Sequence, residues 1–163
     1  MKIRAAKLPD VPALAMLMGT VIGGTPYYTA RARREEIRKH NKQALKQYLL
    51  DKKYYTCLVT VEGKEIIGFV IGRNEAGVFW LDWIGVHKDF RGRKVARTLL
   101  REVEKKIKQQ NVHKIWCDTR DTNKESISLL LKLNYKKLGI FRNGWYKQDF
   151  LLWEKDLKNK HLK

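Results

Sequence analysis

Cysteine is nearly absent. The two thiols, Cys57 and Cys117, stand in separate apolar runs with no metal-like spacing. That excludes a disulfide framework or a zinc ribbon and leaves buried, reduced thiols on strands as the expectation. His40, His87, His113 and His161 are scattered with no ligand spacing, so no metal is implied. Long apolar runs are missing too. The most apolar window, Val11 to Gly24, is broken by Gly19, Gly23 and Gly24 and is too short to cross a bilayer. The opening MKIRAAKLPD lacks the apolar core of a signal peptide. A soluble, cytoplasmic protein without a membrane partner is expected. No Pro/Gly/Ser-rich linker and no repeat divides the 163 residues. The simplest organisation is one domain over residues 1–157, with a basic tail at 158–163. Acidic residues are scarce, 17 against 35 Lys and Arg, which leaves a net charge of +18. An excess of that size suits a nucleic acid, a ribosome, an anionic membrane or a phosphorylated ligand. Lys and Arg are spread from Lys2 to Lys163 and interleave with Glu, so a solvated surface is the favoured reading. Nucleic acid is a possible partner but not the favoured one.

What is present centres on Trp80 to Glu104. Trp80, Leu81, Trp83, Ile84 and Val86 form a dense apolar run, which predicts a strand buried on both faces. A basic turn follows, His87 to Arg93. Val95, Leu99, Leu100, Val103 and Ile107 then recur at helical spacing. A strand that feeds a basic loop opening a helix makes a phosphate site, because first-turn amides lack partners and the helix dipole favours an anion. Arg91 and Arg93 add full charges there.

The remaining elements follow in order. Lys2 to Ala6 reads as a strand, and Asp10 as the cap of a helix ending near Met18. A loop over Thr20 to Thr29 leads to one long basic helix, Ala30 to Leu50. Tyr54 to Val61 and Ile66 to Arg73 form a hairpin around Glu62 to Glu65. Val112 to Thr119 is a strand and Asn123 to Leu133 a helix, with Asn134 left-handed at its end. Tyr135 to Phe141 and Tyr146 to Glu154 are strands around an Asn143-Gly144 turn.

FRGRKVARTLL resembles the pyrophosphate-binding motif of the GNAT acetyltransferases, with Arg91 at its first position and Ala96 at its last. Lys94 replaces the usual Gly and is expected to take ordinary helix-start angles, its ammonium adding to the phosphate field. NKESISLLLKLNYKKL resembles the family's second conserved segment through Asn123 and Ser126, with Leu130 at the usual Tyr position. WYKQDFLLWEKDL is similar to its C-terminal hairpin. The order of elements agrees as well. The resemblance implies an α/β (α+β) GNAT fold: a central, mixed, mostly antiparallel twisted sheet of about seven strands, flanked by about four helices.

It also implies the activity, N-acetyl transfer from acetyl-CoA to a primary amine by direct attack. The acceptor would be a small amine, an antibiotic-like polyamine, or a peptide or protein amine. The protein would be a monomer or homodimer. Acetyl-CoA would lie on Ile84, Gly85 and Val86, on the loop Arg91, Gly92, Arg93, Lys94, Val95 and Ala96, and by Asn123 and Ser126. An ammonium of pKa roughly 10.4 must lose its proton, and Asp118, Asp82 or water is the candidate base. Either carboxylate could instead sit in a salt bridge, for example with Arg120. Asp118 holds the acidic place five positions before Asn123, as in some members that acetylate peptide N-termini. Tyr146 is the candidate acid, or else a half-buried strand aromatic. Tyr27, Tyr28, Trp83, Trp145 and Tyr146 are candidate linings of an acceptor pocket, with core packing the stronger reading for Trp83. The alternative function is a non-catalytic GNAT-fold module that binds RNA or a ribosome through its basic surface.

Overall fold

Period-two and period-3.6 apolar patterns sort this chain into one sheet with helices on both faces. The structure is a computed structural model that describes residues 1–157, so the basic tail at 158–163 lies outside it. Its strands are β1 (Lys2–Ala5), β2 (Tyr55–Glu62), β3 (Glu65–Glu75), β4 (Val78–Val86), β5 (Lys114–Arg120), β6 (Lys136–Phe141) and β7 (Phe150–Asp156). Its helices are α1 (Val11–Gly23), α2 (Ala30–Lys39), α3 (Lys42–Leu50), α4 (Val95–Lys108) and α5 (Lys124–Lys132). The seven strands lie in the order β1-β2-β3-β4-β5-β7-β6. Only β4 and β5 run parallel.

Two cores fill the faces of the sheet. On one, α4 buries Val95, Leu99, Leu100, Val103 and Ile107 against Ile67, Val70, Phe79 and Leu81. On the other, Leu14, Leu17, Met18 and Ile22 of α1 pack with Leu45 and Leu49 of α3 against Val59, Phe69 and Ile71. Both thiols are free and buried, and burial pushes the Cys57 thiol up to about 12. Among the described residues, no helix is long and apolar enough to cross a membrane.

Several boundaries differ from the expectations. The helix that begins at Val11 continues past Met18 to Gly23. Asp10 does not cap it, because its carboxylate is held by Arg4 at 2.6 and 2.9 Å and by the Lys7 amide. The expected helix Ala30 to Leu50 is two helices, so five α-helices accompany the sheet among the described residues. Asn41 accepts from the Ala44 amide at 3.0 Å and starts α3 afresh. The turn at Asn143-Gly144 is not a tight hairpin. Pairing stops at Phe141↔Phe150, leaving residues 142–149 as a loop. There Asp149 accepts from the Asn143 amide at 2.7 Å, and the Gly144 amide bonds the Gln148 carbonyl at 2.9 Å. Tyr146 therefore lies in the loop and not on a strand.

Candidate active site

β4 is where the sheet opens. It pairs with β5 only over Val78–Trp80 with Lys114–Trp116. Beyond that, β4 stays with β3 as far as Val86↔Gly68, and β5 stays with β7 as far as Arg120↔Phe150. A bulge lies at the parting, where Ile71 pairs with Trp83 and Gly72 with Leu81, so Asp82 is the extra residue. A bulge bends its strand and shifts the phase of its side chains. Phe79 and Leu81 face the α4 core before it, Ile84 and Val86 face that core after it, and Trp83 joins the opposite core. Half-burial at Trp80, Asp82, Trp83 and Ile84 corrects the expectation of a strand buried throughout.

The loop after β4 reaches α4. No hydrogen bond to the amides of Gly92 to Arg97 is made by any described residue, and Lys94 gives no side-chain cap. Gly92 has φ of 75°, where a residue without Cβ is at ease. Lys94 corrects the expectation of ordinary angles: φ is 63° and ψ 12°, the left-handed region. The chain must reverse there to enter α4, which explains why glycine suits the position. A left-handed lysine costs about 1 to 2 kcal/mol. Lys94→Gly is expected to recover roughly 1 kcal/mol of that in urea unfolding, as a shift of midpoint at constant slope. Arg93 is held by Glu62 at 2.7 and 3.1 Å, so its charge is already matched. Arg91 reaches the Val86 carbonyl at 3.5 Å. Among the described residues, neither Arg91 nor Lys94 sits in an ion pair. Asn123 and Ser126 bond each other: Asn123 accepts from the Ser126 amide at 3.1 Å and donates to its hydroxyl at 2.8 Å, which starts α5.

On the other side of the parting lies a cavity of about 520 Å³. Asp82, Trp83, Asp118, Trp145 and Tyr146 line it, with Glu36 from α2. Asp82 is ion-paired with Arg73, and burial raises its carboxyl against the pull of that guanidinium. Asp118 has no cationic partner among the described residues and accepts only the Trp145 indole N–H, at 3.0 Å. Burial therefore raises its carboxyl, helped by Glu36 and Asp82. Arg120, a candidate partner for either carboxylate, is engaged elsewhere, with Asp121 at 3.1 Å and the Tyr27 carbonyl at 3.3 Å. Glu36 is the only charged residue that is buried among those described. Burial works to raise it, but bonds from His40, Lys39 and Tyr146 prevail and hold it down to about 2. Trp83 donates its indole N–H to Glu36 at 3.1 Å, so it belongs to the cavity as well as to the core. Tyr146 donates to Glu36 and accepts from Lys39 Nζ at 2.9 Å, with φ of 56°. Tyr27 does not line this cavity. Burial raises its phenol while Arg91 and Asn123, which lie beside it, oppose the shift.

The splayed strand pair has bare helix amides on one side and a carboxylate-lined cavity on the other, and most of the sequence that builds it is matched by a family model. That model, acetyltransferase (GNAT) family, aligns with residues 25–135. The chain belongs to the GNAT acetyltransferase family. An acetyltransferase of Pectobacterium atrosepticum, ECA0875, is 35% identical to this GNAT chain over 87 residues, 53% of the chain and 62% of that relative. The match thus spans under two thirds of the relative's length. Among solved structures, the PaiA N-acetyltransferase of Thermoplasma acidophilum in complex with coenzyme A is similar, with a TM-score of 0.82 and 21% identity. The alignment covers 95% of this chain and 98% of that one. The ribosomal-protein-S18-alanine N-acetyltransferase of Escherichia coli is similar too, with a TM-score of 0.76 and 16% identity over 99% of this chain and 98% of that one. Both likenesses show the GNAT fold.

The residues that sequence reasoning missed include Glu36 and Lys39 of α2, His40 just after that helix, and Arg73 of β3. Glu36 left one signal, an acid within the basic helix ARARREEIRK. The phase change around Asp82 was also present, from odd apolar positions at 79 and 81 to even ones at 84 and 86.

Proposed function

We propose that the protein transfers the acetyl group of acetyl-CoA to an amine. The observation that carries the reading is the parting of β4 from β5 between two different surfaces. The bare amides of Gly92 to Arg97, with Arg91 and Lys94, form the anion-binding side and suit the CoA pyrophosphate. Freed from β5, the β4 edge at Ile84, Gly85 and Val86 offers backbone groups to the pantetheine and the thioester oxygen. The cavity side takes the acceptor. Acetyl-CoA supplies an activated acyl group. An N–C bond forms as the C–S bond breaks. Of the two protons that the ammonium gives up, one ends on the CoA thiol and one reaches solvent.

Asp118 is the proposed base. It alone among the cavity carboxylates of β4 and β5 lacks a cation, whereas Asp82 is committed to Arg73. Tyr146 is a weaker candidate for an acid, because its hydroxyl proton is already given to Glu36. Asn123 and Ser126 shape the start of α5 beside the cofactor side, and their contact with CoA is part of the proposal.

Isothermal calorimetry with acetyl-CoA tests the anion side. Arg91→Ala and Lys94→Glu should each weaken binding by about 1 kcal/mol or more, the scale of a charge-assisted contact. Unchanged affinity in both would move the cofactor away from this loop.

The +18 charge favours one other reading, a module that holds RNA or a ribosome. Solvated lysines predict only weak RNA binding near physiological salt, falling steeply as salt rises through counterion release. Tight, sequence-selective binding in a filter assay at that salt would promote the module over the enzyme.

A further inference from the structure

The cavity reverses the sign of the protein around it. The chain carries +18, yet Glu35, Glu36, Asp82 and Asp118 line the cavity against only Lys39 and Arg73. Aromatic rings complete the wall, among them Tyr28, Trp83, Trp145 and Tyr146. Carboxylates backed by aromatic faces favour organic cations, through charge and through the ring quadrupole. Volume agrees: about 520 Å³ suits a small ligand.

The protein already places an alkylammonium in this wall. Lys39 Nζ lies 2.7 Å from Glu36 Oε1, 2.9 Å from the Tyr146 hydroxyl and 5.3 Å from the centre of the Tyr146 ring. The Lys39 side chain is 59% exposed, whereas that of Glu36 is 12% exposed. Glu36 is kept in place by Trp83 and Tyr146 whether or not Lys39 stays. The exposed lysine can therefore swing out and leave a formed subsite of one carboxylate, one hydroxyl and one ring. Asp118, across the cavity on β5, is the second anionic point, and it has no cation of its own.

Resting on the transferase reading, we propose that the acceptor is a small linear amine with a second ammonium group. Its reacting nitrogen lies by Asp118, and its distal ammonium takes the Glu36–Tyr146 subsite that Lys39 holds in the free protein. The two ends have separate tasks. The reacting nitrogen must become neutral to attack, while the distal one stays charged and fixes the ligand's direction. Glu36 is thus a specificity-determining residue.

The test uses the full chain and acetyl-CoA with three acceptors: a linear diamine, the monoamine of the same length, and a short peptide with a free N-terminus. The diamine should exceed the monoamine in kcat/KM by about tenfold or more, the scale of one charge-assisted contact. Glu36→Gln should bring that ratio toward one. Lys39→Met removes the resident ammonium and should lower KM for the diamine without lowering it for the monoamine. It also serves if Glu36→Gln folds poorly. Titrating the diamine alone against the fluorescence of Trp83 and Trp145 reads binding without catalysis. Equal rates and equal binding for diamine and monoamine, or a preference for the peptide, would overturn the inference. Saturable diamine binding with no acetylation of any amine would leave the dication site standing and remove the transferase reading.

Discussion

Asp118→Asn is expected to lower kcat/KM for the acceptor roughly a hundredfold or more at neutral pH, with acetyl-CoA affinity almost unchanged. The substitution keeps the shape of the side chain and its place beside the Trp145 indole, but it removes the basic oxygen. Burial raises the Asp118 carboxyl, so the wild-type rate should climb with pH through that raised value. The limb should vanish in the variant. The deficit should narrow at high pH, where free amine is plentiful. Stability should move the opposite way. A carboxyl raised in the folded protein binds its proton more tightly there than in the unfolded chain. Between the two pKa values the native state holds more protons, so stability falls as pH rises. Asp118→Asn should then raise the melting temperature at neutral pH and change it little below the unfolded pKa of about 3.9. Full activity at every pH in this variant, with loss in Asp82→Asn, would transfer the role to Asp82. If neither substitution mattered, proton removal would fall to water.

The second large effect is on folding. Gly85→Ala should destabilise the protein by roughly 3 kcal/mol, near the top of the range for overpacking a core. A Cβ at Gly85 would lie 2.5 and 2.6 Å from two ring carbons of Phe69 and 3.0 Å from a Val21 methyl. Phe69 is fully buried, so its ring has no free space to enter. The melting temperature should fall by about 6 to 12 °C for a chain of this size. Acetyl transfer should weaken too, because the same backbone is proposed to hold the thioester. Gly19→Ala is the control. Nothing lies within 4 Å of its Cβ position in α1, and a helical alanine there should gain up to about 1 kcal/mol. Equal melting temperatures for Gly85→Ala and the wild type would mean that Phe69 yields more readily than a close-packed core permits.

Much of the fold was legible because it rests on local rules. The apolar stripe of α4 appears in the sequence at the positions that are buried, Val95 to Ile107. Asn134 takes φ of 62° at the end of α5, as its place after an apolar helix suggests. The basic loop after β4 was visible for the same reason: strand, turn and helix succeed one another within one short segment.

The carboxylate-lined cavity was not legible in this way, because its wall is assembled from distant segments. Glu36 meets Trp83 and Tyr146 across separations of 47 and 110 residues. Nothing in the local pattern of α2 indicates which residue of a β6–β7 loop it will meet. Arg73 and Asp82 were individually visible charges. Only the antiparallel register of β3 on β4, with its extra residue at the bulge, brings them together and leaves Asp118 as the carboxylate without a cation. Lys94 shows the same division at a single residue. Its motif position was clear from the sequence, but its backbone angle was decided by the reversal the chain must make to join β4 to α4. The sequence by itself determined most of the elements, the amphipathic faces and the basic loop that opens α4, since periodicity and helix-end chemistry act over a few residues. Tertiary structure alone decided the parting of β4 from β5, the pairing of charges and the sign of the cavity, since those depend on register and on contacts between segments far apart in the chain.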